Sequence, residues 1–142
     1  MNKLIHIVIL LFTITTIAQS KHSREKIKSL KIAFITERLN LTTEEAQAFW
    51  PIYNAHEEKK HEFRRKERTE IHDKIRESAL TEKEANALVE RLLTLENEKH
   101  EERIQFYKKI NKAIPSKKAI ALLKVEEEFK RRLLKRVREG PK

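Results

Sequence analysis

The sequence predicts an all-α protein with about four helices, and three observations support that fold class. Apolar residues recur at spacings of three and four, while no segment alternates with the period of two that strands require. The 142 residues include a single glycine, so no glycine-rich turn is present. Two short stretches, LTTEE at 41–45 and LTEKE at 80–84, have the pattern that begins a helix.

The amino terminus has the pattern of a secretory signal peptide. Lys3 precedes an apolar run at residues 4–17, and the small residue Ala18 follows it. We expect cleavage after Ala18, so that residues 1–18 are the signal peptide and residues 19–142 form a single helical domain. The alternative is an uncleaved anchor helix, although the run is shorter than the ~20 residues that a membrane span needs.

Charge dominates the composition, since 38% of the residues are charged, 6% are aromatic and the formal net charge is +10. A chain this polar cannot build a thick apolar core, yet its periodic apolar residues distinguish it from a disordered one. It contains no cysteine, so no disulfide can stabilise it. We therefore expect packing between helices or between subunits to supply the stability.

The first predicted helix spans residues 24–39, and the second spans residues 42–78. Along the first, the apolar stripe consists of Ile27, Leu30, Phe34 and Leu39. At the start of the second, the Thr42 and Glu45 side chains can each accept a hydrogen bond from the other's backbone N–H, which forms a capping box. Leu41 precedes this box as the outer residue of a small hydrophobic staple.

A proline interrupts the second predicted helix soon after its start. Pro51 has no N–H and its ring clashes one turn back, so we expect the helix to kink or restart there. We expect the apolar residues around the bend to anchor it against the first helix or another chain; they are Phe49, Trp50, Ile52 and Tyr53. More than half of residues 54–79 are charged, which predicts a solvated helix with one thin apolar seam of Phe63, Ile71 and Ile75.

A second capping box begins the third predicted helix, which runs to about Ala113. It is formed by Thr81 and Glu84, with Leu80 before them. The third helix has an apolar stripe at Ala85, Leu88, Val89, Leu92, Leu93, Leu95, Ile104, Tyr107, Ile110 and Ile114. The break at 114–116 precedes a last helix, whose predicted apolar side consists of Ile120, Leu123, Phe129, Leu133 and Val137.

The order of these features resembles the Spy/CpxP-like periplasmic proteins, the LTxxQ-motif family. LNLTTEEAQAF at 39–49 is similar to the first motif of that family, with Glu45 where the family has Gln. IPSKKAIALLKVEEEFKRRLLKRV at 114–137 is similar to the segment of the second motif and the terminal helix. Phe49-Trp50-Pro51 with Tyr53 also resembles small exported proteins labelled sensors of ECF-type sigma factors. The likeness covers about residues 24–138.

This resemblance implies a fold and a set of functions. The implied fold is a thin, elongated hairpin arrangement of helices that assembles as an antiparallel homodimer in the periplasm. The implied functions are those of an ATP-independent chaperone, an envelope-stress regulator or a metal-responsive sensor. Because Glu also completes a capping box, the Gln-to-Glu difference at residue 45 leaves the expected fold unchanged.

Enzymatic chemistry finds no support in the sequence. There is no cysteine or Gly-rich phosphate loop, and no serine belongs to a recognisable His/Asp constellation, so we expect neither catalysis nor a cofactor. A closed metal site needs three or four ligands. The sequence offers only half-sites, Glu57 with His61 and Glu96 with His100, so we interpret the histidines as solvated: His22, His56, His61, His72 and His100. A metal bridged between subunits is the alternative.

The net positive charge raises the question of its partner. Acidic residues interrupt the basic patches and no base-stacking aromatic residues accompany them, so we expect no nucleic acid. Nor do we expect stable membrane insertion once the signal is removed. A basic face would instead attract acidic, partly unfolded proteins, which apolar contacts would then hold. The predicted client-binding residues are Phe63, Arg64, Arg65, Arg68, Ile71, Phe129, Arg131 and Arg132.

Two alternatives remain open at this point. The protein could be a regulator that binds a membrane sensor or an anti-sigma factor through one specific patch. The basic residues could also be only a solvated surface. A chaperone should bind many clients, all of them weakened by salt, whereas a regulator should depend on one partner.

Overall fold

A computed structural model describes residues 25–77 and 79–140, and every regular element in these two ranges is helical. The predicted signal peptide lies outside the described residues. The elements are α1 at residues 25–39, α2 at Thr43–Glu67, a π-helical segment at Arg68–His72, α3 at Asp73–Glu77, α4 at Glu82–Ala113 and α5 at Ser116–Glu139. Because α2, the π segment and α3 follow one another without a gap, there are four long helical stretches. The predicted all-α fold class is confirmed.

Both predicted capping boxes are present. The Thr42 hydroxyl accepts a hydrogen bond from the Glu45 N–H at 3.2 Å, and the Glu45 carboxylate accepts one from the Thr42 N–H at 2.9 Å. Thr81 and Glu84 make the same exchange at the start of α4, at 3.4 and 2.9 Å. Each box satisfies N–H groups that a helix start would otherwise leave without partners.

The turn before α2 is made by Asn40, which has a positive φ of 46°. Asparagine adopts this left-handed conformation more readily than most residues do. Its N–H donates to the Glu37 carbonyl at 3.1 Å, which closes the end of α1. The chain therefore leaves α1 and reaches the Thr42 cap within three residues.

The predicted restart at Pro51 is wrong, because α2 continues through this residue without a break. The hydrogen bond that Pro51 cannot donate would have gone to the Gln47 carbonyl. Pro51 and Gln47 are both exposed, so water can satisfy that carbonyl. On the inner side of the same turns, Phe49 and Tyr53 are buried, and Tyr53 contacts Phe106 of α4. These aromatic residues thus anchor α2 to α4, a partner helix that the sequence analysis did not name.

Helices α2 and α4 pack side by side and run antiparallel. Residue numbers rise along α2 and the π segment while those of their α4 partners fall. The pairs are Tyr53 with Phe106, His56 with Glu102, Glu67 with Lys99 and Glu70 with Arg91. The thin, elongated arrangement and the dimer that the resemblance implies stay predictions.

The described chain forms two compact units. One contains Leu41–Ala121, and its buried residues include Phe49, Tyr53, His56, Ile71, Leu95, Phe106, Ile110 and Ile114. The other contains α1 together with α5 from Leu122 onward, and its buried residues are Phe34, Ile35, Leu39, Leu122 and Val125. Helix α5 therefore belongs partly to each unit. The prediction of a single domain at 19–142 stays a prediction.

Several predicted core positions are exposed. In α1, Phe34 and Leu39 are buried as expected, but Ile27 and Leu30 are exposed. In α4, Val89 and Leu93 are exposed, while Phe106, which the predicted stripe left out, is buried. In α5, Ile120, Leu123 and Val137 are exposed and the buried residues are Ala119, Leu122 and Val125. Phe129 and Leu133 of the predicted apolar side are half-buried, so that side of α5 packs only in part within its own chain.

The cap before α2 leads to a stability prediction. Replacing Thr42 with Ala removes the hydroxyl that accepts the Glu45 N–H, so the free energy of unfolding should fall by about 1 kcal/mol. Urea denaturation followed by circular dichroism measures this change. Thr43→Ala is the matched control, since it removes the same atoms one residue later, inside the helix, and should not lower the midpoint. Equal midpoints for the two variants would contradict the capping role.

Candidate functional site

An aromatic cluster that includes one histidine joins α2 to α4. Phe49 and Tyr53 stack at 5.3 Å between ring centroids, and Tyr53 meets Phe106 edge-on at 6.1 Å. The His56 ring lies parallel to Phe106 at 3.9 Å. His56 is only 8% exposed, so its interpretation as a solvated histidine is wrong. Its spacing from Phe49 and Tyr53, seven and three residues, is the sequence signal that could have placed it on the buried face.

Burial controls the charge of His56. Desolvation lowers its pKa, and the nearby Lys60 adds to that effect, whereas Glu102 and Glu57 act in the opposite direction. The Nδ1 atom lies 3.3 Å from a Glu102 carboxylate oxygen. A carboxylate can only accept, so the imidazole donates here. The cluster thus holds a neutral histidine at neutral pH and provides one polar link between α2 and α4.

Ion pairs continue the α2–α4 contact beyond the aromatic cluster. Lys99 Nζ lies 2.6 Å from a Glu67 carboxylate oxygen and 2.7 Å from a Glu96 oxygen. Arg91 joins Glu70 and also lies 3.5 Å from Glu98. The hydrogen bond from Lys99 lowers the pKa of Glu67. Partly exposed pairs of this kind contribute little stability, so their main effect is on which residues face each other.

The predicted basic residues near the end of α2 are exposed. Arg64, Arg65 and Arg68, which we call the basic turn, all face solvent. Arg64 Nη2 donates to His61 Nδ1 at 2.8 Å, while the Arg65 and Arg68 side chains have no acidic partner among the described residues. Phe63 beside them is half-buried, with Lys66 Nζ 5.7 Å from its ring centroid.

Ile71 is not available for client contact, which corrects its prediction as a binding residue. It is 5% exposed and lies in the π segment, which packs against α4. A π turn adds one residue to a helical turn. At 3.6 residues per α-helical turn, that addition rotates the following side chains by about 100°. The Phe63–Ile71–Ile75 seam is therefore divided, since Ile71 faces inward while Ile75 is exposed.

The predicted binding residues on α5 belong to a second cluster, shared with α1. Phe129 packs on Phe34 at 5.6 Å between ring centroids and is half-buried. The guanidinium of Arg132 lies 4.8 Å from the Phe34 ring centroid, and that of Arg38 lies 5.5 Å from it. Arg131 is exposed and lies 3.4 Å from Glu127. Phe129 and Arg132 therefore stabilise the packing of α1 on α5, a role that the sequence analysis did not assign.

Across residues 25–77 and 79–140, no group of three or more His, Asp or Glu side chains is arranged to hold a metal ion. Within the same ranges, no helix combines the length and the apolar character that crossing a membrane requires.

Comparison of the chain with protein-family models, with curated proteins and with solved structures gives no significant match.

His56 leads to a prediction about pH. Because its pKa in the folded protein lies below the unfolded value of about 6.5, the unfolded chain binds more protons as the pH falls. The contribution of His56 to stability is thus complete above the unfolded pKa and is lost as the pH falls toward the folded pKa. We expect the free energy of unfolding, measured in urea, to decrease as the pH is lowered from 7.5 to 5.5.

The matched variants are His56→Gln and His100→Gln. The first removes the buried titrating group and should flatten the pH dependence, although it also lowers stability at neutral pH. The second removes an exposed histidine and should keep the parental dependence. A His56→Gln variant with an unchanged pH dependence would show that the buried ring does not contribute to it.

Proposed function

We propose that this protein is an exported, ATP-independent chaperone that captures acidic, partly unfolded chains in the periplasm. The observation that carries the proposal is the uneven neutralisation of charge along α2 and α4. Five of the lysines and arginines along this packed pair have acidic partners, whereas the side chains of the basic turn have none among the described residues. The basic turn therefore carries three uncompensated guanidinium groups close together on the unit formed by Leu41–Ala121.

The pairing pattern supports that statement residue by residue. Lys59, Lys60, Lys66, Arg91 and Lys99 each lie within 4.0 Å of at least one glutamate oxygen. Arg64 instead contacts a histidine, and the side chains of Arg65 and Arg68 have no acidic partner in the described chain. An approaching acidic polypeptide would thus meet three guanidinium groups that no nearby carboxylate neutralises. Such groups increase the rate of encounter, and salt screens them.

Exposed apolar residues of the same unit provide the second part of the proposed mechanism, the contacts that hold a captured client. Ile75, Val89 and Leu93 are each about half exposed. They lie on α3 and the first turns of α4, after the basic turn in sequence. In the proposed mechanism they make the apolar contacts with the client that were predicted for Ile71, which is buried. Single apolar contacts of this kind are weak, so a client can leave when it buries its own apolar surface. Release then requires no nucleotide.

The test is aggregation suppression by the purified protein, with an unfolding acidic model substrate, no nucleotide and a series of salt concentrations. Light scattering reports aggregation. We expect suppression at near-stoichiometric amounts that weakens between low and high salt, because the Debye length falls from about 10 Å at 0.1 M to about 3 Å at 1 M. Absence of suppression at every salt concentration would reject the chaperone, and a single envelope partner would then be sought.

Charge-reversal variants distinguish a specific role of the basic turn from a general effect of the protein's net charge. The triple variant Arg64→Glu, Arg65→Glu, Arg68→Glu should slow client capture several-fold in stopped-flow fluorescence. The control reverses three other exposed residues of the same unit, Lys108, Lys109 and Lys112, and changes the net charge equally. It should retain most of the capture rate. Equal rates for the two triple variants would show that only net charge matters and that the basic turn is ordinary surface.

A further inference from the structure

The last turns of α5 are strongly basic. Residues 130–138 contain no acidic residue, and their basic residues are Lys130, Arg131, Arg132, Lys135, Arg136 and Arg138. Arg131 and Lys135 each have a glutamate partner one turn away on the same helix. Lys130, Arg136 and Arg138 have no acidic partner in the described part of the chain. This end of α5 therefore presents positive charge that the protein itself does not neutralise.

Two large apolar side chains lie among these basic residues. Leu134 and Val137, three residues apart, are 49% and 73% exposed. Positions three or four residues apart are neighbours on a helix surface, so Leu134 has a basic residue on either side along its face of α5. We call this set the α5 end face: Lys130, Arg131, Leu134, Val137 and Arg138. Glu127, one turn earlier, marks the boundary of the face and lies 3.4 Å from Arg131.

The packing of α1 on α5 brings a second helix end to the same place. Phe34 of α1 contacts Phe129 and Arg132 of α5. Arg38, one turn later in α1, lies 3.5 Å from Glu128, which is earlier in α5. Residue numbers thus rise along α1 while those of its α5 partners fall, and the two helices run antiparallel. The first turns of α1 therefore lie beside the last turns of α5, within one compact unit.

The first turns of α1 have the same composition as the α5 end face. Residues 26–31 contain three lysines and no acidic residue: Lys26, Lys28 and Lys31. Ile27 and Leu30, which lie between these lysines, are 36% and 37% exposed. Basic and exposed apolar side chains are thus mixed on both helices at this end of the unit.

We propose that this end of the α1–α5 unit is a docking surface for anionic lipid bilayers. The observation that carries the proposal is the mixture of uncompensated basic residues with exposed aliphatic ones on the α5 end face. In a helix that lies on a membrane, apolar side chains enter the headgroup region while lysines and arginines attract anionic lipids. Long basic side chains suit this position because their alkyl stems pack on apolar surface while their charges stay in water. Such binding is peripheral and does not depend on client capture.

The same residues fit a bilayer better than they fit a protein. A protein interface takes most of its binding energy from a few anchor side chains in well-packed pockets, whereas the α5 end face offers two aliphatic residues and no aromatic one. Lys135 and Arg136 lie outside that face. The potential of an anionic membrane acts over a Debye length, so these residues contribute without a matched geometry. A second copy of this surface would instead bring like charges together, which is unfavourable.

The first experiment measures binding to vesicles by cosedimentation. Protein purified from cells that express the full-length chain is mixed with phosphatidylcholine vesicles that contain either no phosphatidylglycerol or about one-third of this anionic lipid. We expect phosphatidylglycerol to increase binding, and salt to reduce that increase. Because each basic residue near an anionic surface strengthens binding roughly fivefold, the double variant Lys130→Gln, Arg138→Gln should weaken binding to anionic vesicles at least about tenfold.

The matched control is the double variant Lys108→Gln, Lys109→Gln. It removes the same charge from exposed residues of α4, in the unit formed by Leu41–Ala121, and should keep the parental affinity. The two double variants share the same amino terminus, so any contribution of that segment to vesicle binding is equal in both. Circular dichroism confirms that helix content is unchanged.

The second experiment tests whether the apolar residues enter the lipid. The chain has no cysteine, so Leu134→Cys introduces a single thiol for an environment-sensitive fluorophore. Its emission should shift to the blue on anionic vesicles, because the label then leaves water. Val89→Cys is the control, since Val89 is 52% exposed but belongs to the other unit, and its label should stay in water.

Four results would overturn the proposal. Phosphatidylglycerol could leave binding unchanged, or the two double variants could lose binding equally. The labels at residues 134 and 89 could give the same emission on anionic vesicles. The label at residue 134 could also shift without vesicles as the protein concentration rises, and a second copy would then be the occupant. Capture of an acidic peptide by a protein that ignores anionic vesicles would belong to the first of these results.

Discussion

The scarcity of apolar surface is the constraint on which the rest of this structure depends. In the unit formed by Leu41–Ala121, one narrow line of contact between α2 and α4 contains Phe49, Tyr53, Phe106 and the buried His56. Complete burial of one large apolar side chain contributes about 1.5–3 kcal/mol, whereas an exposed ion pair contributes about 0–1 kcal/mol. The aromatic line therefore stabilises the pair, and the ion pairs at Glu67–Lys99 and Glu70–Arg91 determine which turns lie opposite each other.

This division of roles explains how a chain with a net charge of +10 can fold and still leave basic side chains uncompensated. The acidic residues of α2 and α4 are largely occupied in local and cross-helix pairs, which neutralise the surface beside the aromatic line. Positive charge stays uncompensated where no acidic partner lies among the described residues, as at Arg65 and Arg68. The proposed attraction of acidic chains would act where the packing of the helices leaves charges uncompensated.

Features encoded within a few residues could be predicted from the sequence, and features that depend on distant residues could not. The capping boxes at Thr42 and Thr81 need only a neighbour three residues away, so their positions and the four helical stretches followed from local pattern. Pro51 is tolerated on the solvent side of α2, and which side of α2 faces inward is marked by the contact of Tyr53 with Phe106, more than fifty residues later. No local sequence pattern predicts the π segment, so the sequence analysis did not predict that Ile71 faces inward. The burial of His56 likewise depends on α4.

Helix α5 is a further element in which the sequence pattern does not identify the residues that pack within the chain. Its apolar residues extend well beyond one narrow stripe, and the sequence alone does not say which of them pack within the chain. The structure assigns Leu122, Val125 and the half-buried Phe129 to internal packing, with Phe129 against α1. The remaining face, from Ile120 to Val137, is not needed for that packing and would favour nonspecific association if it were uniformly apolar. Glu127 and Lys130 at its centre disfavour most such contacts, because a partner without matching charges must desolvate them.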